Sequence, residues 1–149
     1  MGKYAETSNL SAFQRIFFII IFYCGLQHLK KILIIDDETD IRHLMRDTLE
    51  IFGYKQICEL ADANDALEFH LKNKFDIIIL DYNLPETDGI SFVNTLRKTD
   101  NNAIVILITG SLMNESICEL LKNGKIQDYL PKPFSIDLFI HKIRKSLKE

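Results

Sequence analysis

The chain has 149 residues, room for one ordinary domain and not comfortably for two, and its 47% apolar content is that of a folded globular protein. A formal charge of −3 supplies no field of the kind that draws a protein onto nucleic acid or acidic lipid, so direct nucleic-acid binding is not expected. Cys24, Cys58 and Cys118 form no CxxC and no Cys/His ligand spacing. They read as reduced thiols, mostly core residues, in a cytoplasmic protein.

Residues 1–29 stand apart as an apolar amino-terminal extension. The run 16–24, IFFIIIFYC, follows Arg15 and has the outline of a signal-peptide core, but no small-residue cleavage site follows it. At 9 residues it is too short to span a bilayer. Three readings stay open: translated upstream sequence, with Leu29 as an alternative initiator; a helix that packs or touches a membrane; or a signal. Membrane contact is expected only on the second. N-terminal sequencing of the native protein tests the first, which fails if residue 2 or its neighbours are found.

From residue 30 the pattern alternates between two periods. Lys31–Ile35 (KILII) is an apolar strand. Residues 39–52 follow with Ile41, Leu44, Met45, Thr48, Leu49 and Phe52 on one helical face, and Gly53 stops them. Gln56–Leu60 is a weaker strand, interrupted by Glu59, and 64–73 a helix on Ala66, Leu67 and His70 or Leu71. The run 75–80 (FDIIIL) is a third strand. Asp88 then caps a helix over 89–98, with Ile90, Val93 and Leu96 inward. The run 103–108 (AIVILI) is a fourth strand, 113–123 a helix closed by Gly124, and 126–130 a last strand. Ser135 caps a final helix carrying Ile136, Phe139, Ile140, Ile143 and Leu147 on one face. Runs apolar on both faces need a sheet covered on both sides, and right-handed crossovers then give a doubly wound parallel α/β sheet of five strands and five helices.

In such sheets ligands bind beyond the carboxyl ends of the strands. The residues just past those ends are Asp36-Asp37, Asp81, Thr109 and Lys132-Pro133. Packed carboxylates repel one another, so a strand that ends in DDETD asks for a positive partner. Asp36, Asp37 and Asp81 offer hard oxygen ligands of the kind Mg²⁺ takes. Lys132 adds a charge that would neutralise phosphoryl oxygens, and Asp81 is then placed as a nucleophile.

IIDDE, LDYNLPETDG, ITGS and DYLPKPF closely resemble the receiver domains of two-component response regulators, over residues 30–149. The resemblance implies the CheY-like (flavodoxin-like) strand order 2-1-3-4-5. It also implies a phosphoaccepting switch that catalyses its own phosphoryl transfer and autodephosphorylation. Asp81 would receive the phosphoryl from a histidine kinase or a histidine phosphotransfer protein. Mg²⁺ would be held by Asp37, Asp81 and the backbone carbonyl of Asn83, with Asp36 acting directly or through water. Lys132 would pair with the phosphoryl group, and its bond to Pro133 would be cis. Thr109 would move inward to hydrogen-bond the phosphoryl, and Tyr129 would follow into the space left. The readout would be a protein-binding face built by 113–123, 126–130 and 135–147.

Two departures from the family pattern stand out. Gly124 lies one residue further from Lys132 than is common, and Ile126 takes the place of the usual alanine, as an inserted residue would produce. Gly110 is expected to leave access to the phosphoryl.

Other classes fail on specifics. DDETD would repel phosphate where a flavin or nucleotide carrier needs a cradle, no GxxxxGK[ST] occurs, and DYNLP does not supply the DxDx[TV] of a haloacid-dehalogenase-like phosphatase. DDETDI also lacks the turn glycine and closing glutamate of an EF-hand. The remaining alternative is a phosphorylation-independent binding module with the receiver fold. His28, His43, His70 and His141 show no ligand-like spacing and read as surface or helix-face residues. The expectation is a stand-alone receiver, either a chemotaxis-type effector or a phosphorelay intermediate.

Overall fold

The computed structural model describes residues 11–16, 29–85, 87–110 and 113–148. The strands are β1 (Lys31–Ile35), β2 (Gln56–Leu60), β3 (Ile77–Asp81), β4 (Ile104–Thr109) and β5 (Asp128–Pro131). Between and after them lie α1 (Thr39–Ile51), α2 (Ala66–Asn73), α3 (Gly89–Leu96), α4 (Glu115–Lys122) and α5 (Ile136–Leu147). All strand pairs are parallel, in the order β2-β1-β3-β4-β5 that the resemblance implied. A further helical stretch at 12–16 leaves Phe13 and Ile16 exposed. Residues 17–24 of the apolar run lie outside the described residues, as do Cys24 and His28.

Side chains alternate across the sheet and split the core in two. Leu33, Ile35, Ile78, Leu80, Val105 and Leu107 pack against α2, α3 and α4. Ile32, Ile34, Ile77, Ile79, Ile106 and Ile108 pack against α1 and α5. Ile77 to Leu80 are wholly buried, which is why that run shows no polar alternation. Truncating any one of them to alanine costs about 2–5 kcal/mol.

Both edge strands carry a carboxylate turned toward a helix cation. Glu59 of β2 pairs with Arg46 of α1 at 3.2 Å, and Asp128 of β5 with Lys142 of α5 at 2.6 Å. Burial works against ionised Asp128, but the hydrogen bond from Lys142 and that from the Tyr129 amide outweigh it, and its pKa is lowered.

The caps fix most helix boundaries. Ser91 N–H donates to Asp88 Oδ1 at 2.8 Å and Leu138 N–H to Ser135 Oγ at 3.2 Å. Asn114 caps α4 by accepting from Ile117 N–H at 3.0 Å, so that helix begins at Glu115 and not at 113. Gly124, at φ +66°, turns the chain out of α4, and Ile126 enters the core. Leu44 and Ile136, expected inward, are exposed, because Met45, Thr48 and Leu49 already fill the α1 contact and Phe139, Ile140 and Ile143 the α5 contact.

Of His70 and Leu71, the two candidates for the inner face of α2, His70 takes the place, against the surface reading of the histidines. It is fully buried, with Nε2 2.8 Å from Asp100 Oδ2 and Nδ1 facing the Phe75 N–H at 3.4 Å.

Candidate functional site

Strand register builds the site. Ile35 lies opposite Leu80, so Asp36 and Asp81 leave the sheet side by side. Thr109 lies opposite Pro131, and Lys132 N–H donates to the Thr109 carbonyl at 2.7 Å, which extends the β4–β5 ladder into the site. The Lys132–Pro133 peptide is cis. Lys132 Nζ then reaches Asp36 Oδ2 at 2.9 Å, Asp81 Oδ2 at 2.9 Å and Glu38 Oε1 at 3.0 Å.

Backbone groups hold the two buried acids. Asp36 Oδ1 accepts from Glu38 N–H at 2.8 Å, and Arg42 reaches back from α1 to donate to the Asp36 carbonyl at 2.6 Å. Asp81 Oδ1 accepts from Asn83 N–H at 3.0 Å. Gly89 lets α3 begin close by. A Cβ there would sit 3.1 Å from Leu107 Cδ1, 3.1 Å from Tyr82 Cα and 3.3 Å from the Asp81 carbonyl. Among the described residues nothing lies within 4 Å of a Cβ at Gly110, so none of them confines that position to glycine.

Burial pushes the Asp36 pKa above its ordinary value, aided by the Asp81 charge and only partly offset by Lys132 and the Glu38 amide. Burial opposes the charged form of Lys132, yet its hydrogen bonds to Asp36, Asp81 and Glu38 win and raise its pKa. Three carboxylates face one ammonium, so negative charge is left over. One carboxylate oxygen from each of Asp36, Glu38 and Asp81 lies within 4.8 Å of the other two, a hard-oxygen set that fits a divalent cation such as Mg²⁺.

Asp37 is exposed and stands outside this trio. Glu38 is inside it, and the doublet Asp36-Asp37 gave no hint of that. The chain bends at Asp37, and the Glu38 N–H donated to Asp36 Oδ1 holds Glu38 back beside Asp36. Thr109 is buried at the end of β4. Tyr129 is half-buried on β5, with Lys142 Nζ 5.4 Å from its ring centroid.

Residues 32–144 match the response regulator receiver domain. The chain belongs to that family. It is 32% identical over 120 residues to the transcriptional regulatory protein YxdJ of Bacillus subtilis, an alignment that takes in 80% of the chain but only 51% of YxdJ. It thus spans about half the length of that relative. It is also 29% identical over 119 residues to the chemotaxis protein CheY of Thermotoga maritima, covering 80% of the chain and 98% of CheY.

Among solved structures, a two-component response regulator from Clostridium difficile superposes with a TM-score of 0.72 at 28% identity, over 80% of this chain and 97% of that one. Vibrio cholerae CheY4 gives 0.71 at 27%, over 78% and 98%. The protein is therefore a CheY-like receiver domain of two-component signalling. Among the described residues no helix is long and apolar enough to cross a membrane.

Proposed function

We propose that this receiver takes a phosphoryl group from a phosphohistidine, on a histidine kinase or a histidine phosphotransfer protein, onto Asp81. The observation that carries the reading is the convergence of Asp36, Glu38 and Asp81 on Lys132 at the carboxyl ends of the strands. An Asp81 oxygen attacks phosphorus, the P–N bond breaks, and the imidazole leaves with the electron pair.

Asp36, Asp37, Asp81 and the Asn83 carbonyl would hold Mg²⁺, with Glu38 beside them. When bound, the ion supplies positive charge to the phosphoryl oxygens and offsets the acidic cluster. Lys132 adds the second cation, and the Thr109 hydroxyl donates a hydrogen bond to a phosphoryl oxygen. The same groups would serve autodephosphorylation by water.

The new charge on Asp81, about −2, biases a two-state surface. Thr109 moves toward the phosphoryl, Tyr129 follows, and the α4–β5–α5 face changes its affinity for a target protein. Likeness over nearly the whole of CheY supports a cytoplasmic receiver that works through protein contacts and not by binding nucleic acid itself. A membrane role attaches only to the 16–24 segment.

The test is intact mass after incubation with Mg²⁺ and acetyl phosphate, beside Asp81→Asn. One phosphoryl adduct on the wild type, absent from Asp81→Asn and after chelation, is the expected result. A folded, Mg²⁺-binding protein that takes no phosphoryl from acetyl phosphate or from a phosphohistidine donor would be a phosphorylation-independent binding module instead.

A further inference from the structure

A cation in the opening turn of a helix works against the helix dipole, which favours acids there. Arg42 sits in that turn of α1, half-buried, and its guanidinium turns back toward the start of the helix. Nη1 donates to the Asp36 carbonyl at 2.6 Å and Nη2 to Thr39 Oγ1 at 3.1 Å. One planar fork thus joins the residue that leaves β1 to the first residue of α1.

The Asp36 carbonyl belongs to the peptide that joins Asp36 to Asp37, and the chain bends at Asp37. How that peptide lies decides where Asp37 leaves the strand end. It bears on the Asp36 carboxylate as well, because Asp36 Oδ1 accepts from Glu38 N–H across the same bend at 2.8 Å. Lys132 cannot fix the bend by itself, since Asp36, Glu38 and Asp81 all draw on its one ammonium.

We infer that Arg42 is a positioning residue for the metal: by clamping the Asp36 carbonyl to Thr39 it orients Asp36 and Asp37 toward Asp81. It acts through these acids and not on the ion or the phosphoryl group. The inference rests on Asp36, Asp37 and Asp81 being the Mg²⁺ ligands and deepens that reading.

Charge and geometry give opposite signs here. As a charge alone, Arg42 repels a divalent cation at the rim, so removing it would tighten Mg²⁺ binding. As a clamp it holds the acids ready, so removing it weakens binding. Lysine keeps the charge but reaches the carbonyl or the hydroxyl and not both.

The test compares the full chain with Arg42→Lys, Arg42→Gln and Thr39→Val. Three quantities are read: affinity for Mg²⁺ alone by calorimetry, urea unfolding without metal, and the rate of adduct formation from acetyl phosphate across Mg²⁺ concentrations. Arg42→Lys should bind Mg²⁺ about tenfold more weakly, the low end for groups that orient metal ligands. Arg42→Gln should also bind it more weakly, in spite of the repulsion removed. Thr39→Val cuts one prong of the fork and should lose about twofold to fivefold. In Arg42→Lys the Mg²⁺ concentration for half-maximal rate should rise, while the rate at saturating Mg²⁺ stays close to wild type.

An Arg42→Lys protein with wild-type Mg²⁺ affinity overturns the proposal, even if it unfolds more easily, because the clamp then serves only the fold. Tighter Mg²⁺ binding by Arg42→Gln overturns it too and leaves Arg42 as a charge. Asp36→Asn separates this inference from the reading beneath it. If Asp36→Asn binds Mg²⁺ as tightly as wild type, the ion lies elsewhere and both fail. If Asp36→Asn loses affinity and Arg42→Lys does not, only the role of Arg42 falls.

Discussion

The two ends of the sheet handle buried charge in opposite ways. At the amino ends of β3 and β4, Asp100 accepts from His70, Asn102 N–H at 2.6 Å and Ala103 N–H at 3.1 Å. Arg97 beside it donates to the carbonyls of Lys125, Asp100 and Ala103. Donors and acceptors there match, and each polar group closes a loop or ties one element to the next. At the carboxyl ends three carboxylates share one lysine, and burial holds the Asp36 pKa above its ordinary value in spite of that lysine. A structural polar cluster is saturated, whereas a working one keeps charge in reserve for something that arrives.

The largest expected effect breaks the reserve outright. Lys132→Ala leaves Asp36 and Asp81 buried without their cation and should cost about 3–5 kcal/mol in urea unfolding at neutral pH without divalent metal. A loss under about 1 kcal/mol would mean that water already screens the rim.

Next comes the response to metal. At a Mg²⁺ concentration about a hundredfold above its dissociation constant, wild type should gain about 2.7 kcal/mol, and Asp36→Asn much less. Equal gains in both proteins would place the ion elsewhere.

One substitution made at both ends sharpens the contrast. Asp100→Asn should cost about 1.5–3 kcal/mol, since it weakens charged hydrogen bonds in a saturated cluster. Asp81→Asn removes one of three repelling charges, so in metal-free buffer it should cost less than Asp100→Asn. Equal losses would erase the distinction between the ends.

The smallest effect is a pH slope. Burial opposes ionised Asp100, but the Asn102 amide, His70 and the Ala103 amide together bring its pKa down to about 2. A depressed carboxylate stabilises the fold above its unfolded value, 3.8, and that contribution fades as pH falls toward about 2. Unfolding followed between about pH 5 and pH 2 should show a shallower acid dependence in Asp100→Asn than in wild type. Parallel curves would count against this assignment.

The amino end is also where the sequence was hardest to read. His70 and Asp100 are 30 positions apart, and no local period connects a helix residue to a loop that follows another helix. The strand order came only through the resemblance to receiver domains, but the rim was easier, because each of four strands delivers its polar residue at or just past its end. Only order along the chain is needed to see that. Glu38 escaped notice for a local reason: a DD doublet draws attention to neighbours, while the bend at Asp37 brings Glu38 back beside Asp36. The helix starts shifted where a cap went unnoticed, as at Asn114, and the inward faces narrowed where fewer residues than expected reach the sheet, as at Leu44.

The paired acids on the two outer strands bear on solubility. An open sheet invites another chain to lengthen it, and inward-turned charges on edge strands discourage that growth. Glu59 with Arg46 on one side and Asp128 with Lys142 on the other put such a charge at each border, and β5 is only four residues long and ends in a proline that has no N–H to offer. A second molecule docking by its own strand would have to strip water from these ion pairs for a short ladder in return. Growth of the sheet at either border is thereby disfavoured, which leaves the helices as the faces offered to other proteins.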